Sequence, residues 1–186
     1  MFNQLLNIAS STQWQEETAI SDCPEKVLSW LLDSTSLTKK LEQQCNQFNV
    51  QVKQEMQTHS KESNLSPYFP YPEPLFVREV LLQCDGIAHV FAQTEIPQQT
   101  LLATKEKLTH LGERSLGSVL FNDPTLIRGK IEVAEFPIGS LLHLFSESLQ
   151  QPCEHSLWGR RSIFQFQNKP LLVSELFLPC SRIYDK

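Results

Sequence analysis

Glycine is scarce in this chain, with six residues in a length of 186. These glycines form neither a G-x-G-x-x-G fingerprint nor a Walker-type G-x-x-x-x-G-K loop, the motifs in which glycine lets the backbone approach a phosphate. The sequence therefore lacks the usual signature of a nucleotide cofactor.

Basic residues are also few. The 16 lysines and arginines are outnumbered by 21 aspartates and glutamates, which gives a net charge of −5. Binding of nucleic acid or of an acidic membrane needs a clustered excess of positive charge. We therefore expect no nucleic-acid partner, and any anionic small molecule must be held by a local group of residues.

Long apolar runs are absent. Nowhere do 18 apolar residues follow one another, which is about the length that a membrane-spanning helix requires. Residues 1–17 contain no Lys or Arg and no apolar run of signal-peptide length. These features predict a soluble, cytoplasmic protein without membrane insertion.

Cysteine pairs of the C-x-x-C type are missing too. The cysteines are five, an odd number, and lie far apart in the sequence: Cys23, Cys45, Cys84, Cys153 and Cys180. This pattern favours neither a disulfide framework nor a zinc site. The cluster Cys153-Glu154-His155, with His143 upstream, also matches no zinc or Cys-His nucleophile spacing, so we expect reduced thiols and no bound metal.

The composition that is present, 40% apolar and 20% charged residues, is ordinary for a globular protein. A chain of 186 residues is long enough for one hydrophobic core and short for two. We therefore expect a single domain over residues 1–186 that acts as a monomer.

Apolar periodicity and capping residues predict helices over residues 24–33, 37–44, 97–111, 115–121 and 140–149. Ser21 or Asp22 is the expected cap of the first of these helices. Alternation predicts strands over 48–52 and 127–136, whereas the polar and proline-rich stretch 57–74 predicts a loop.

Two hairpins complete the prediction. Residues 75–84 and 87–96 flank the pair Asp85-Gly86, which is the strongest short-range hairpin signal that a sequence offers. Residues 162–178 form the second hairpin, with a turn near Asn168-Lys169. These elements predict an α+β fold, in which helices pack on a mainly antiparallel sheet.

Arg78 lies in an unusual position for a permanent cation. It alternates with large apolar residues, and the Asp85-Gly86 turn sets a register in which Arg78 faces Gln93. An anion should meet the guanidinium on that face. The pattern leaves open whether this anion is a ligand or a carboxylate on a neighbouring strand.

Glu175 presents the same anomaly with opposite sign, because it also alternates with large apolar residues. Burial disfavours the charged carboxylate unless a donor or a cation reaches it. Counting from the predicted turn puts Ser162 opposite Glu175 and Arg160 diagonal to it. A structural ion pair of Glu175 with Arg160 or with Arg78 therefore stays open.

Leu37 and Leu116 attract attention for their backbone amides. Each follows a serine, Ser36 or Ser115, at a predicted helix start, where the first amides have no intrahelical partner. Such amides suit a carboxylate. Most helix starts bind only water or a capping side chain, so this pattern alone does not identify a ligand contact.

Five motifs in order resemble those of the chorismate pyruvate-lyase family, and together they cover about 150 residues. They are S-L-T-K-K-L-E-Q-Q at 36–44, R-E-V-L-L at 78–82, the pairs Leu111-Gly112 and Leu116-Gly117 with Leu120-Phe121, W-G-R-R-S at 158–162, and P-L-L-V-S-E-L-F-L-P at 170–179. The agreement in order and spacing makes the resemblance specific.

The resemblance implies a single α+β domain whose ligand lies in an internal cavity closed by helical flaps, without a metal or an organic cofactor. It implies a lyase that removes pyruvate from chorismate and leaves 4-hydroxybenzoate, the aromatic precursor for ubiquinone biosynthesis. Arg78 resembles the family's carboxylate-binding arginine and Glu175 the acid at the ring hydroxyl, so both are expected to be catalytic. Leu37 and Leu116 match the remaining substrate contacts.

Some features depart from the family pattern or stay open. Gln93 stands where an arginine can occur, which puts a secondary anion site beside Arg78 in question. The stretch 131–158 is longer than in compact members and has no assigned role. Arg160 or Arg161 is expected to meet the side-chain carboxylate or the developing negative charge, unless W-G-R-R-S is structural.

A rival interpretation comes from another class of protein. Effector-binding domains of some transcription regulators resemble this lyase fold, so a non-catalytic domain that binds an aromatic acid is the alternative. The absence of a DNA-binding segment and the presence of both Arg78 and Glu175 favour the lyase.

Overall fold

The computed structural model describes residues 13–16, 20, 23–59, 73–104, 108 and 111–185. Within these ranges, seven strands form one sheet: β1 (Gln15–Glu16), β2 (Phe48–His59), β3 (Pro74–Cys84), β4 (Ile87–Pro97), β5 (Ile127–Phe136), β6 (Leu157–Phe166) and β7 (Lys169–Phe177). Their order across the sheet is β1-β5-β6-β7-β4-β3-β2, and all pairings are antiparallel.

The helices in the same ranges are short: α1 (Glu25–Leu31), α2 (Leu37–Glu42), α3 (Gln98–Ala103), α4 (Leu116–Leu120), α5 (Leu141–Ser148) and a 3-10 turn (Arg182–Tyr184). Ser36, Ser115 and Ser140 cap α2, α4 and α5, because each side-chain oxygen accepts from the amide three residues on. The predicted α+β fold with an antiparallel sheet is confirmed. None of the described helices has the length and apolar character needed to cross a membrane.

Several element boundaries differ from the prediction. The second hairpin begins at Leu157 instead of residue 162, and the short strand β1 was not predicted. β2 continues to His59 because it pairs with β3 as far as Pro74, so the predicted loop begins too early. Within the range 97–111 expected to be one helix, α3 ends at Ala103, and Leu108 is again helical. Residues 60–72, most of 105–110, and the proposed caps Ser21 and Asp22 lie outside the described residues.

The first hairpin forms as predicted at its turn. Asp85 and Gly86 both have positive φ, 50° and 81°, which a type I′ turn requires. Cys84 pairs with Ile87 on either side of that turn. The sequence signal therefore determined this turn locally.

A bulge changes the register farther along the same hairpin. The pairing shifts after Leu82, where His89 is the extra residue on β4. Arg78 therefore pairs with Thr94, and the prediction that it faces Gln93 is wrong. A bulge of this kind leaves no mark in the alternation of β3, so the turn alone could not reveal it.

The second hairpin turns one residue earlier than predicted. Its central residues are Gln167 and Asn168, with φ of 53° and 59°, instead of Asn168-Lys169. Arg160 consequently pairs directly with Glu175, where Ser162 was expected. Asn tolerates positive φ at either central position of such a turn, so the sequence left the register ambiguous.

The two faces of the sheet carry different covers. We call the face that bears Arg78 and Glu175 the cavity face; α1 and α2 pack on it, with Leu31 and Leu41 almost fully buried. On the reverse face, α5 places Leu142 against the sheet with no exposed surface, a burial that contributes about 1.5–3 kcal/mol. The stretch 131–158, which had no assigned role, thus supplies the cover of the reverse face.

Candidate active site

A cavity lies between the cavity face and the helices α2 and α4, which we call the cover helices. Its volume is about 40 Å³. Leu37, Arg78, Leu116 and Glu175, the four residues singled out from the sequence, all line it. The rest of the wall is mainly apolar: Thr38, Val50, Val80, Leu82, Ala92, Thr94, Ser115, Gly117, Leu120, Phe121, Phe164 and Val173.

The cover helices touch each other through Thr38 and Gly117. A Cβ atom on Gly117 would lie 2.7 Å from Oγ1 of Thr38, closer than carbon and oxygen can approach without a shift. The absence of a side chain at Gly117 therefore lets α4 rest on α2. This contact closes the cavity on the side away from the sheet.

Arg78 is 3% exposed and already has partners in the protein. Its Nη1 donates to the carboxylate of Glu55, the residue opposite it on β2. Its Nη2 donates to the carbonyl oxygens of Gly112 at 2.6 Å and Arg114 at 3.4 Å. Within the described ranges Nε makes no hydrogen bond, so a guanidinium with five N–H groups keeps donors for the cavity.

The internal salt bridge that the sequence left open for Arg78 is therefore present, with Glu55 as the partner. The side chain of Glu55 is 40% exposed, so water competes for this carboxylate and the pair is weak. Arg78 lines the cavity at the same time. Its ion pair fixes the direction of the guanidinium without closing the site.

Glu175 is held by Arg160. Nε of Arg160 donates to Oε2 of Glu175 at 2.5 Å, and its Nη1 donates to the carbonyl oxygens of Trp30, Leu31 and Asp33 at 3.0, 3.3 and 2.6 Å. These carbonyls lie at or just beyond the end of α1, where the helix dipole favours a cation. Arg160 thereby fixes the carboxylate of Glu175 at the cavity wall.

Arg161 lies on the reverse face. Its Nε donates to Oε2 of Glu132 at 2.7 Å, and its guanidinium lies 4.8 Å from the ring of Trp14. Arg160 is occupied by Glu175 and backbone carbonyls. The structural interpretation of W-G-R-R-S therefore fits both arginines better than contact with a ligand.

Arg128 is a neighbour of the site that the sequence did not reveal. Its Nε donates to Oγ of Ser162 at 3.0 Å, and the guanidinium lies 5.2 Å from the ring of Phe164. Burial lowers the pKa of Arg128 to about 10, while the negative charge of Glu175 opposes that change. The Glu175 end of the cavity therefore lies near two guanidinium groups, those of Arg128 and Arg160.

Gln93 does not lie beside Arg78. Its side chain is on the reverse face, where Nε2 donates to Oε1 of Glu79 at 3.0 Å. Burial raises the pKa of Glu79, and this hydrogen bond only partly opposes the rise. Position 93 consequently has no direct contact with the cavity, and the expected secondary anion site beside Arg78 does not involve it.

Several cavity residues escaped the sequence analysis. Thr94 was missed because the bulge in β4 moves it opposite Arg78. Thr38 and Gly117 meet only because α2 packs on α4. The alternation of β4 could have suggested Thr94 once the bulge was known, whereas no sequence signal joins the two cover helices.

Cys153 and His143 do come together, although no nucleophile motif joins them. Sγ of Cys153 lies 3.4 Å from Nε2 of His143, but that nitrogen lies closer, at 2.9 Å, to the carbonyl oxygen of Cys153. Burial raises the pKa of the Cys153 thiol, which disfavours a thiolate. Among the residues described, no group of three or more His, Cys, Asp or Glu side chains is arranged to hold a metal.

The fold is an α+β domain, and its mainly apolar cavity is lined by an arginine and a carboxylate. A comparison with family models identifies the class more closely: the model described as chorismate lyase matches residues 8–186. The chain belongs to the chorismate lyase family.

Relatives agree with this assignment. The chain is 49% identical over 177 residues to a probable chorismate pyruvate-lyase of Psychromonas ingrahamii, with 95% of both chains covered. It is 40% identical over 176 residues to a probable chorismate pyruvate-lyase of Shewanella loihica, with 92% of this chain and 90% of the relative covered.

Solved structures with a similar fold include domains of transcription regulators. The effector domain of PhnF from Mycobacterium smegmatis aligns with a TM-score of 0.56 at 14% identity, covering 77% of this chain and 88% of that domain. The C-terminal domain of the histidine utilization repressor from Pseudomonas syringae aligns with a TM-score of 0.53 at 11% identity, covering 73% and 94%. At these identities the likeness concerns the fold alone.

Proposed function

We propose that this protein converts chorismate into 4-hydroxybenzoate and pyruvate, and that the 4-hydroxybenzoate serves as the aromatic precursor for ubiquinone. One observation carries the proposal: in a member of the chorismate lyase family, Arg78 and Glu175 line the same mainly apolar cavity. The likeness to regulator domains concerns the fold and therefore does not favour a sensor.

The reaction breaks the bond between the ring and the oxygen of the enolpyruvyl ether. The ring loses one hydrogen and becomes aromatic, and the departing side chain gains that hydrogen on its methylene carbon to become pyruvate. Because aromatisation drives the reaction, the protein needs chiefly to hold one conformer and stabilise charge on the departing oxygen. A concerted transfer of the hydrogen to the side chain requires no strong protein base.

Arg78 is the proposed partner of the ring carboxylate. The N–H groups of Arg78 that are not used by Glu55 and the two carbonyls are available on its cavity side. A hydrogen bond between two charged groups is shorter and stronger than a neutral one. The amide of Leu116, at the start of α4, is proposed to donate to the same carboxylate.

Glu175 is the proposed partner of the ring hydroxyl. Arg160 holds its carboxylate through Oε2, and the carboxylate can accept from the hydroxyl with its remaining lone pairs. Leu37, at the start of α2, completes the proposed substrate contacts. The ring would then lie between β3 and β7, which are separated only by β4.

The small volume of the cavity bears on substrate entry. A volume of about 40 Å³ is less than a cyclohexadiene ring with two carboxylates requires, so we propose that the cover helices move to admit chorismate. Once they close, the apolar wall excludes water and strengthens the electrostatic interactions inside. A site that closes around the dianionic substrate also fits the flat product, so release of 4-hydroxybenzoate is expected to be slow.

The decisive experiment is an assay of purified protein with chorismate in a buffer that contains a metal chelator. We expect 4-hydroxybenzoate, followed by absorbance, and pyruvate, followed with lactate dehydrogenase, to appear in equal amounts. Binding of 4-hydroxybenzoate without turnover of chorismate would instead identify a sensor. Formation of a different hydroxybenzoate would refute the proposed product.

A further inference from the structure

Two cysteines meet beside α2, outside the cavity. Cys45 follows the end of α2, and Cys84 is the last residue of β3. Their sulfur atoms lie 3.2 Å and 3.6 Å from the same acceptor, the carbonyl oxygen of Leu41. Both sulfur atoms therefore lie near one backbone atom, although the two cysteines are 39 positions apart in the sequence. The two side chains also belong to the same apolar cluster.

We propose that Cys45 and Cys84 form a disulfide under oxidation and that this bond fixes α2 to the sheet. The consequence for catalysis rests on the proposed function, whereas formation of the bond does not. Both cysteines are free thiols in the structure, and disulfides in reducing compartments are usually transient.

The position of the pair explains why such a bond would matter. α2 supplies Leu37 and Thr38 to the cavity wall, and its last turn contains Leu41, whose carbonyl oxygen both thiols contact. In the proposed function, chorismate enters when a cover helix moves. A bond from Cys45, three positions beyond the last residue of α2, to the end of β3 would restrain that movement.

The two thiols differ in access. Cys45 is partly exposed, whereas Cys84 is 6% exposed, and burial raises the pKa of Cys84 to about 12. Cys45 is therefore the thiol that an oxidant meets first. Cys84 is sheltered from the oxidant but lies within reach of Cys45.

A hydroperoxide is the class of oxidant that this arrangement suits. The sulfur of Cys45 attacks the peroxide oxygen, the O–O bond breaks, and a sulfenic acid forms with release of water. The sulfur of Cys84 then attacks the sulfur of Cys45, and the hydroxyl leaves as a second water with the proton of Cys84. Two thiols are oxidised to one disulfide, and one hydrogen peroxide is reduced to two waters.

The chemical arm of the test treats the full-length protein with hydrogen peroxide and digests it with trypsin without reduction. We expect a linked pair of the peptides 41–53 and 79–105, lighter by two hydrogen atoms than their sum and separated again by a thiol reductant. Oxidation of Cys45 to a sulfinic acid without this link would overturn the proposal. So would a link from Cys45 to any other cysteine.

The mechanical arm measures hydrogen–deuterium exchange of the amides in 37–43 and turnover of chorismate. Oxidation should slow the exchange and reduce turnover, and a reductant should restore both. Unchanged exchange in the linked protein would refute the restraint on α2. If the reduced protein has no lyase activity, the proposed function is refuted. The exchange measurement then still shows whether the disulfide restrains α2.

Matched variants separate the pair from general oxidation. Cys45→Ser and Cys84→Ser should keep turnover when reduced and lose its sensitivity to peroxide. Cys180→Ser removes an exposed thiol and should respond like the wild type. Equal sensitivity of all three variants would show that the pair is not the target.

Discussion

Arg160 and Glu175 face each other directly across β6 and β7, with 2.5 Å between Nε and Oε2. Arg160 is 1% exposed, so its charge depends on Glu175 and on the carbonyls at the end of α1. Glu175 has 17% of its side chain exposed and lines the cavity. One ion pair therefore serves both the core and the site.

Glu175→Gln should destabilise the protein and weaken binding. Removing the charge of one partner in a buried pair costs about 3–5 kcal/mol. The amide oxygen of the introduced glutamine can still accept from Arg160, so we expect a loss of stability at the lower end of this range. Urea denaturation gives the free energy of unfolding, and kcat and KM for chorismate give the functional effect. An unchanged kcat with a raised KM would assign Glu175 to recognition rather than to the chemical step.

Glu132→Gln is the control for this variant. It weakens the more exposed pair with Arg161 on the reverse face, for which we expect a loss of about 1 kcal/mol or less. Equal losses for the two variants would show that the Arg160–Glu175 pair has no special role in stability.

Arg78→Ala should lower kcat/KM for chorismate. The loss of a hydrogen bond to a charged group costs about 1.5–3 kcal/mol, which corresponds to roughly a ten- to hundredfold decrease. Arg161→Ala, on the reverse face, is the control and should lower stability while kcat/KM stays unchanged. Turnover like the wild type in Arg78→Ala would remove Arg78 from the site.

Leu116→Pro tests the backbone amide at the start of α4. Proline is favoured at the first helical position, and Ser115 before it already has the extended conformation that proline requires, with φ −71° and ψ 141°. The variant thus removes the N–H group and keeps the helix. Leu116→Ala keeps the N–H group and shortens the side chain.

If the amide binds the ring carboxylate, Leu116→Pro should bind 4-hydroxybenzoate more weakly than Leu116→Ala by about 1.5–3 kcal/mol. Isothermal titration calorimetry measures both dissociation constants. Equal affinities for the two variants would exclude the amide of Leu116 as a contact.

Glu79→Gln should change the pH dependence of stability. Burial raises the pKa of Glu79 above the ordinary value of 4.5, so the folded state keeps a proton that the unfolded chain has released. The stability from this proton is present below about pH 4.5 and is lost as pH rises through the raised pKa. Compared with the wild type, the variant should therefore gain stability as pH increases over this window.

Urea denaturation at several pH values between about 4 and 7 checks this expectation. Glu154→Gln, which removes an exposed carboxylate, is the matched control and should follow the wild type. A difference between Glu79→Gln and the wild type that stays constant with pH would contradict the prediction.

In the two hairpins, local sequence signals predict where the turns lie but not the register of the strands. Asp85-Gly86 identified the first turn because a type I′ turn needs positive φ at both residues. The bulge at His89 carries no such signal, so the partner of Arg78 was predicted as Gln93 instead of Thr94. Asn168 indicates the second turn, but it can be either the first or the second central residue. The turn uses it as the second, so the predicted partner of Glu175 is wrong.

In the candidate site as well, some residues could be predicted from the sequence and others only from the tertiary structure. A charge among alternating apolar residues is visible in the sequence, which is why Arg78 and Glu175 were found. Their protein partners were not determined there: Glu55 reaches Arg78 because β2 pairs with β3, and Arg160 reaches Glu175 because the turn lies at Gln167-Asn168. The contact between Thr38 and Gly117 depends on packing of two helices far apart in the chain.

From the sequence alone, most of the helices and strands, the cap Ser115 and the apolar settings of Arg78 and Glu175 could be predicted, because alternation, turn conformation and capping act over a few residues. Only the tertiary structure decided the register of both hairpins, the closing of the cover helices and the meeting of Cys45 with Cys84. These depend on contacts between distant segments, whose relative positions the packing of the whole sheet determines.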